Sequence, residues 1–228
     1  MLPKYFNEDA HVYEIGIDEA GRGPLFGRVY VAGVVLPKHM DTTDIRDSKK
    51  VSKKKLQLLY NKIREQAVVY HIAFVEASEI DRINIREAVI KGMHECAREC
   101  INKLNSIIQT QFYQTQKETF FLCVDGNDFP PYYHTDGKRI SYETFVGGDN
   151  KYASIAAASI LAKVARDDYI RELCGTFTEL SELYGMDKHM GYGTKQHLEA
   201  IRLHGITDLH RKTFGTCKNM TVTRCLTL

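Results

Sequence analysis

The chain has 228 residues, 43% of them apolar and 26% charged, with a formal net charge of +2 at neutral pH. That length supports one substantial hydrophobic core or at most two small domains, and the composition is that of an ordinary globular protein. No apolar run approaches the ~18 residues of a membrane span. The first ten residues carry Lys4, Glu8 and Asp9 and no apolar h-region, so an intracellular, cytoplasmic protein with no membrane partner is expected. The small net charge leaves any nucleic-acid contact to local basic clusters rather than a global field.

In chain order, Val12 to Ile17 and Val29 to Leu36 are β-rich runs, predicted to pair like a hairpin around a glycine-rich turn. Between them stands Ile17-Asp18-Glu19-Ala20-Gly21-Arg22-Gly23-Pro24, an apolar strand that runs into two acids. Carboxylates clustered where water is scarce need a partner, and a divalent cation is the simplest one. The glycines let backbone amides approach a ligand closely.

A helix is predicted from Lys49 to Gln66, capped by Ser48 or Ser52. Its start crowds Lys49, Lys50, Lys53, Lys54 and Lys55, where cations oppose the helix macrodipole. This group reads either as a solvated face or as a phosphate contact. Val68 to Val75 is the third predicted strand, and Ile85 to Leu104 the next helix. The polar stretch Asn105 to Gln116 reads as an exposed insertion.

Thr119 to Val124 is nearly continuous in apolar residues, as a strand buried on both faces would be. It ends in Asp125-Gly126. Arg139 to Val146 alternates like an edge strand. A long small-residue helix is predicted from Tyr152 to Leu173, preceded by Gly147-Gly148-Asp149-Asn150-Lys151 and carrying Lys163 and Arg166 on one face. Shorter helices are predicted over Phe177 to Tyr184 and Lys195 to His204.

Taken singly, Asp149 reads as a helix N-cap, Asp125-Gly126 as a turn and Asp18-Glu19 as a solvated strand end. Taken together, each acid closes an apolar element beside a glycine-rich loop. Such a set suits two Mg²⁺ ions, which in two-metal sites sit ~3.5–4 Å apart. Tyr192, on the glycine-flanked loop His189 to Thr194, offers a ring on which a sugar or base can stack.

Six cysteines are scattered through the chain. Cys96 and Cys100 have the spacing of half a zinc site, but nothing completes it, and reduced thiols are expected. The chain holds no HExxH, GxxxxGK[ST] or GxGxxG, which removes the zinc-hydrolase and nucleotide-cofactor readings.

The ordered motifs resemble type 2 ribonucleases H, specifically ribonuclease HII. Ile17 to Pro24 resembles the family's opening motif, Asp47-Ser48-Lys49-Lys50 its DSKK element and Ile83-Asn84-Ile85 a short motif further on. Val124-Asp125-Gly126, Asp149 with the following helix to Asp167, and His210-Arg211-Lys212-Thr213-Phe214 continue the likeness. It implies an α/β ribonuclease H-like fold, with a five-stranded mixed sheet, flanking helices and a C-terminal helical region. A single catalytic domain over 1–228 is expected, with 174–228 as its helical lobe.

The resemblance further implies metal-dependent endonucleolysis, with Mg²⁺ or Mn²⁺ held by Asp18, Glu19, Asp125 and Asp149. The expected substrates are RNA–DNA hybrids and duplex DNA containing ribonucleotides, cut 5′ of the ribonucleotide to leave 3′-hydroxyl and 5′-phosphate ends. Gly21, Arg22 and Gly23 are expected at the 2′-hydroxyl, and Tyr192 on the sugar of the following deoxynucleotide. Lys49, Lys163 and Arg166 are read as further substrate contacts. Asp149 is preferred to Asp167 and Asp168 as the fourth acid because the family's acid precedes the long helix. Without an evident extension for accessory subunits, a monomer is expected. Phe26, Arg28, Met190 and Gly193 depart from the family's usual residues, and the glycine after Tyr192 predicts a looser loop there.

Overall fold

The computed structural model describes residues 2–7, 9, 11–45, 52–110 and 119–226. The DSKK element with Lys49 and Lys50, and the end of the expected insertion, lie outside these residues. Among the described residues, no helix is long and apolar enough to cross a membrane.

A six-stranded sheet organises the chain, with strands β1 (Val12–Ala20), β2 (Val29–Val35), β3 (Val69–Val75), β4 (Thr119–Asp125), β5 (Tyr132–Tyr133) and β6 (Arg139–Phe145) in the order β3-β2-β1-β4-β6-β5. β1 pairs parallel to β4, and β4 parallel to β6. The sheet thus has one strand more than expected. The extra one is only two residues long and pairs antiparallel with β6. β6 is therefore not the edge strand its alternation predicted. A turn closed by the His134 N–H on Lys138 O brings β5 back over it, while the polar half of its residues still faces out.

The chain forms two compact units. The first comprises Met1–Ala20, Val31–Ala73 and Ile90–Val164. It holds helix α1 (Lys53–Gln66), capped by the Ser52 hydroxyl, and most of α3 (Ile85–Thr110). α3 absorbs the first residues of the stretch expected to be an insertion. Its Cys96 and Cys100 press on Gly33 of β2, and the Cys96 thiol donates to Val31 O. All six cysteines are free thiols, and five of them are buried.

The first half of α4 (Ala153–Thr176) belongs to the same unit. A Cβ on Gly16 would overlap the backbone of Ser154, so glycine at that position is what allows α4 to lie directly on β1. On the same face of β1, the buried Glu14 accepts from Ser154 Oγ at 2.8 Å and from the N–H groups of Phe6 and Asn7. A buried carboxylate is tolerable because its lone pairs are used in this way.

The second unit comprises Gly21–Tyr30, Phe74–Val89 and Ala165–Leu228. It contains α2 (Ala77–Ile83), which the sequence reading missed, and the short helices α5 (Glu179–Glu182) and α6 (Met186–His189). Helix α7 (Lys195–His204) and a parallel pair, β7 (Ile206–Thr207) with β8 (Val222–Arg224), complete it. Asn84 separates α2 from α3. It adopts a left-handed φ of 71°, ends α2, and caps α3 by accepting the Glu87 N–H on its side chain. α7 starts where the Thr194 hydroxyl accepts the His197 N–H and stops at Gly205. Leu25, Ile201, Ile206 and Cys217 form a small core in this unit.

Candidate active site

The acids are placed by strand register. The β1–β4 ladder ends at Ile17 opposite Val124, so Asp18 and Asp125 are the next residues on adjacent parallel strands. Side chains in register across a parallel pair share a face. For Asp18 that is the face of Gly16, two residues earlier, against which α4 packs. Both acids lie within their strands rather than in the turns that follow.

Asp18 is 5% exposed, takes a hydrogen bond from Ser159 of α4, and also accepts its neighbour's Glu19 N–H at 2.7 Å. Burial and the nearby charges of Asp125 and Glu19 push its carboxyl well above the usual range. Asp125 is raised by burial and then by Asp149, against the effect of the Gly148 N–H, which it accepts at 2.6 Å. Asp149 is 5% exposed and sits in a 3₁₀ turn, Gly148–Asn150, ahead of α4. Its carboxylate accepts from the Asn150 amide. It is therefore not the N-cap of the long helix, whose first residue is Ala153.

Asp18, Glu19, Asp125 and Asp149 thus form one chain of mutual repulsion. Groups so arranged either hold protons or hold cations. Among the described residues, no three His, Cys, Asp or Glu side chains stand as close as the ligands of one bound ion. Strand register and the loop ahead of α4 nevertheless bring the four acids to one end of the sheet, where like charges near one another repel. An all-oxygen set of this kind fits Mg²⁺ or Mn²⁺.

The glycine-rich turn and Tyr192 belong to the second unit. Gly21 is buried with φ 95°, while Arg22 and Gly23 are exposed. A side chain at Gly21 would overlap Arg166. Arg211 is fully buried and donates to four carbonyls of this segment: Gly21 at 2.7 Å, Pro24 and Gly27 at 2.9 Å, and Arg22 at 3.1 Å.

Tyr192 is 43% exposed, and a Cβ on Gly23 would stand 3.9 Å from its ring. Its loop is not loose. The carbonyl of Met190 accepts from Arg166, that of Gly191 from the Leu25 N–H, and that of Tyr192 from His197 and the Thr194 N–H.

Arg166 corrects an expectation. It is 1% exposed and turned onto Met190 O at 2.7 Å, with its guanidinium 5.5 Å from the Tyr192 ring. It braces the tyrosine loop through Nη2, while its Nε and Nη1 are buried without a hydrogen-bond partner. Lys163, by contrast, keeps partial exposure. Asp167 lies 3.9 Å from Arg166 and 4.0 Å from Arg171, a local pair of ion contacts on its own helix.

The sequence reading assigned no role to His197, His210 or Arg211. A histidine or arginine in a polar C-terminal motif gives no sign of full burial. Only a contact partner far away in the chain reveals it.

The ribonuclease HII family profile matches residues 15–217, which is most of the chain. The chain belongs to the ribonuclease HII family. Ribonuclease HII of Marinomonas sp. (strain MWYL1) is 43% identical over 205 residues, covering 90% of this chain and 91% of that one. Among solved structures, ribonuclease H2 from Pyrococcus horikoshii OT3 superposes with a TM-score of 0.66 at 22% identity, over 90% of this chain and 95% of that one. Bst-RNase HIII in complex with Mn²⁺ superposes with a TM-score of 0.62 at 17% identity, over 91% of this chain and 68% of that one. At those identities the two structures speak for the fold, which is the α/β ribonuclease H type. Membership of the ribonuclease HII family makes this chain an endoribonuclease and implies action on RNA–DNA hybrids.

Proposed function

We propose that this enzyme nicks duplex DNA on the 5′ side of embedded ribonucleotides, single ones included, and cuts hybrid RNA, leaving 3′-hydroxyl and 5′-phosphate ends. The observation that carries the proposal is the line of acids from Glu19 through Asp18 and Asp125 to Asp149, buried or half-buried and mutually repelling. These four would hold divalent cations, whose chemistry there is to lower the pKa of a bound water and neutralise charge on the scissile phosphate. The chain's own task is to hold the carboxylates in place. The Glu19 N–H and Ser159 do this for Asp18, the Gly148 N–H for Asp125 and the Asn150 amide for Asp149.

Leaving 5′-phosphates rules out the 2′-hydroxyl as the nucleophile, so that group is free to be recognised. The backbone N–H groups of the exposed residues Arg22 and Gly23 suit it, since the 2′-hydroxyl both accepts and donates hydrogen bonds. Tyr192, half-exposed beside Gly23, would pack on the neighbouring deoxyribose. Lys163 would contact a phosphate, as would Lys49.

The test is cleavage of a DNA duplex containing one ribonucleotide beside an all-RNA/DNA hybrid, in Mg²⁺ or Mn²⁺ and in EDTA. Metal-dependent nicking 5′ of the single ribonucleotide is expected. Cutting of the long hybrid alone would overturn the single-ribonucleotide reading, and full activity in EDTA would overturn the metal reading.

A further inference from the structure

We propose that the consecutive residues His210 and Arg211 are positioning residues that set the shape of the ribonucleotide reader. Arg211 acts through the Gly21–Pro24 turn, and His210, by way of His197, through Tyr192. The inference rests on the reading above in which that turn and Tyr192 face the ribonucleotide.

The Arg211 half follows from peptide geometry. In a trans peptide the C=O and the next residue's N–H point in opposite directions. The Gly21 and Arg22 carbonyls are both drawn onto the Arg211 guanidinium. The N–H groups of Arg22 and Gly23 therefore point away from it, on a segment that is exposed. Two aligned donors are what an oxygen ligand needs. The planar fork of arginine is required for this. Its Nε, Nη1 and Nη2 atoms reach four carbonyls at once, whereas a lysine has three donors on one atom.

The His210 half is a hydrogen-bond chain with one consistent direction. The Thr207 N–H donates to His210 Nδ1 at 3.0 Å, so the His210 proton lies on Nε2. That proton points at His197 Nε2, 3.1 Å away, which must then accept. His197 accordingly carries its proton on Nδ1, and donates it to Tyr192 O at 3.0 Å. Both rings are buried and neutral, and a neutral imidazole with one donor and one acceptor fits each place. His189 stacks on His197 with ring centroids 4.8 Å apart, closing the other side.

The two halves move together because the chain joins them. Gly27 N–H donates to Leu209 O, Phe26 pairs antiparallel with His210, and Arg211 N–H donates to Leu25 O. Residues 209–211 thus form a short ladder with the segment that follows the glycine turn.

The experiment compares kcat/KM on the single-ribonucleotide duplex with that on the RNA–DNA hybrid, for wild type, Tyr192→Ala, His197→Leu and His197→Gln. Tyr192→Ala lowers the ratio of the two if Tyr192 reads the junction. His197→Leu should then lower it by about tenfold, the scale of one buried hydrogen bond lost. His197→Gln should restore it to within about threefold of wild type, because its amide oxygen accepts from His210 and its NH₂ donates to Tyr192 O. In Tyr192→Ala/His197→Leu the second change should cost nothing further.

A merely structural His197 would slow both substrates alike and leave the ratio unchanged, which overturns the proposal. An unchanged ratio in Tyr192→Ala would overturn it together with the reading of Tyr192. For Arg211, the folded Arg211→Lys protein should bind a ribonucleotide-containing duplex no better than the all-DNA duplex, where wild type prefers the former. A retained preference would overturn the Arg211 half.

Discussion

Asp125 accepts the N–H of Gly148 at 2.6 Å, which ties the acid ending β4 to the turn that carries Asp149. The bond needs an acceptor oxygen but no charge. Asp125→Asn keeps the acceptor and removes the charge, so the protein should fold normally and melt no lower than wild type. Cleavage should fall by at least about 10²-fold, while affinity for an RNA–DNA hybrid stays within about threefold. Parallel nicking and gel-shift assays separate the two, and equal loss of both would make Asp125 a structural acid.

Crowded carboxylates also predict a response to metal without turnover. Mg²⁺ or Mn²⁺ well above its dissociation constant should raise the melting temperature by on the order of 5 °C, since a ligand bound only by the native state stabilises it. Asp18→Asn should abolish most of that rise, because burial beside Asp125 and Glu19 is what raises the carboxyl at that position. Scanning fluorimetry with EDTA as the baseline reads both. An identical metal-induced rise in the variant would sink the assignment of Asp18.

Gly16 offers a test of packing alone. Alanine there overlaps the Ser154 backbone, and backbone cannot rotate away as a side chain can. Gly16→Ala should cost about 1–3 kcal/mol or more in denaturant unfolding. A variant as stable as wild type would mean that α4 can lift from β1 without penalty.

The histidine pair predicts acid sensitivity. Burial holds His197 down at about 4 and His210 at about 3, with the neighbouring charge of His189 adding for His197 and that of His197 for His210. In the unfolded chain both titrate near 6.5. Above pH ~6.5 neither state binds these protons, and the stability of the pair is fully present. As the pH falls from ~6.5 toward ~4, the unfolded chain takes up about two protons that the native protein refuses, so stability declines. The denaturant midpoint measured from pH 7.5 to 4.5 should show this slope, and His197→Gln should remove about one proton's worth of it. An unchanged slope in that variant would mean that the ring is charged in the native state.

Much of this was legible in the sequence. β1, β2, β3, β4, α1 and α7 declare themselves by the spacing of their apolar residues, and α1 also by the cap candidate Ser52, because burial period and capping chemistry are local. Asp18, Glu19, Asp125 and Asp149 stand out because each breaks an apolar element with a charge. α2 was hidden, since a seven-residue helix offers barely two turns of periodicity, and the signal at Asn84 serves two helices at once. β5 was hidden because two residues carry no pattern. Arg166 was misplaced for a different reason. Its spacing from Lys163 is correct for a shared helix face, but spacing does not say which residues of that face lie under another loop. Arg211 and His197 acquire their roles only through carbonyls that the chain brings back from far away, and no local rule reads those.

Five of the six thiols are buried. Burial raises Cys100 to about 12 and Cys217 to about 11, and lifts Cys96, Cys123 and Cys174 as well. A thiol that stays protonated does not react with maleimide or iodoacetamide at neutral pH. Cys225 alone is exposed. Cys225 therefore offers a single attachment point among these six thiols, one residue past β8, for a fluorophore or a surface tether.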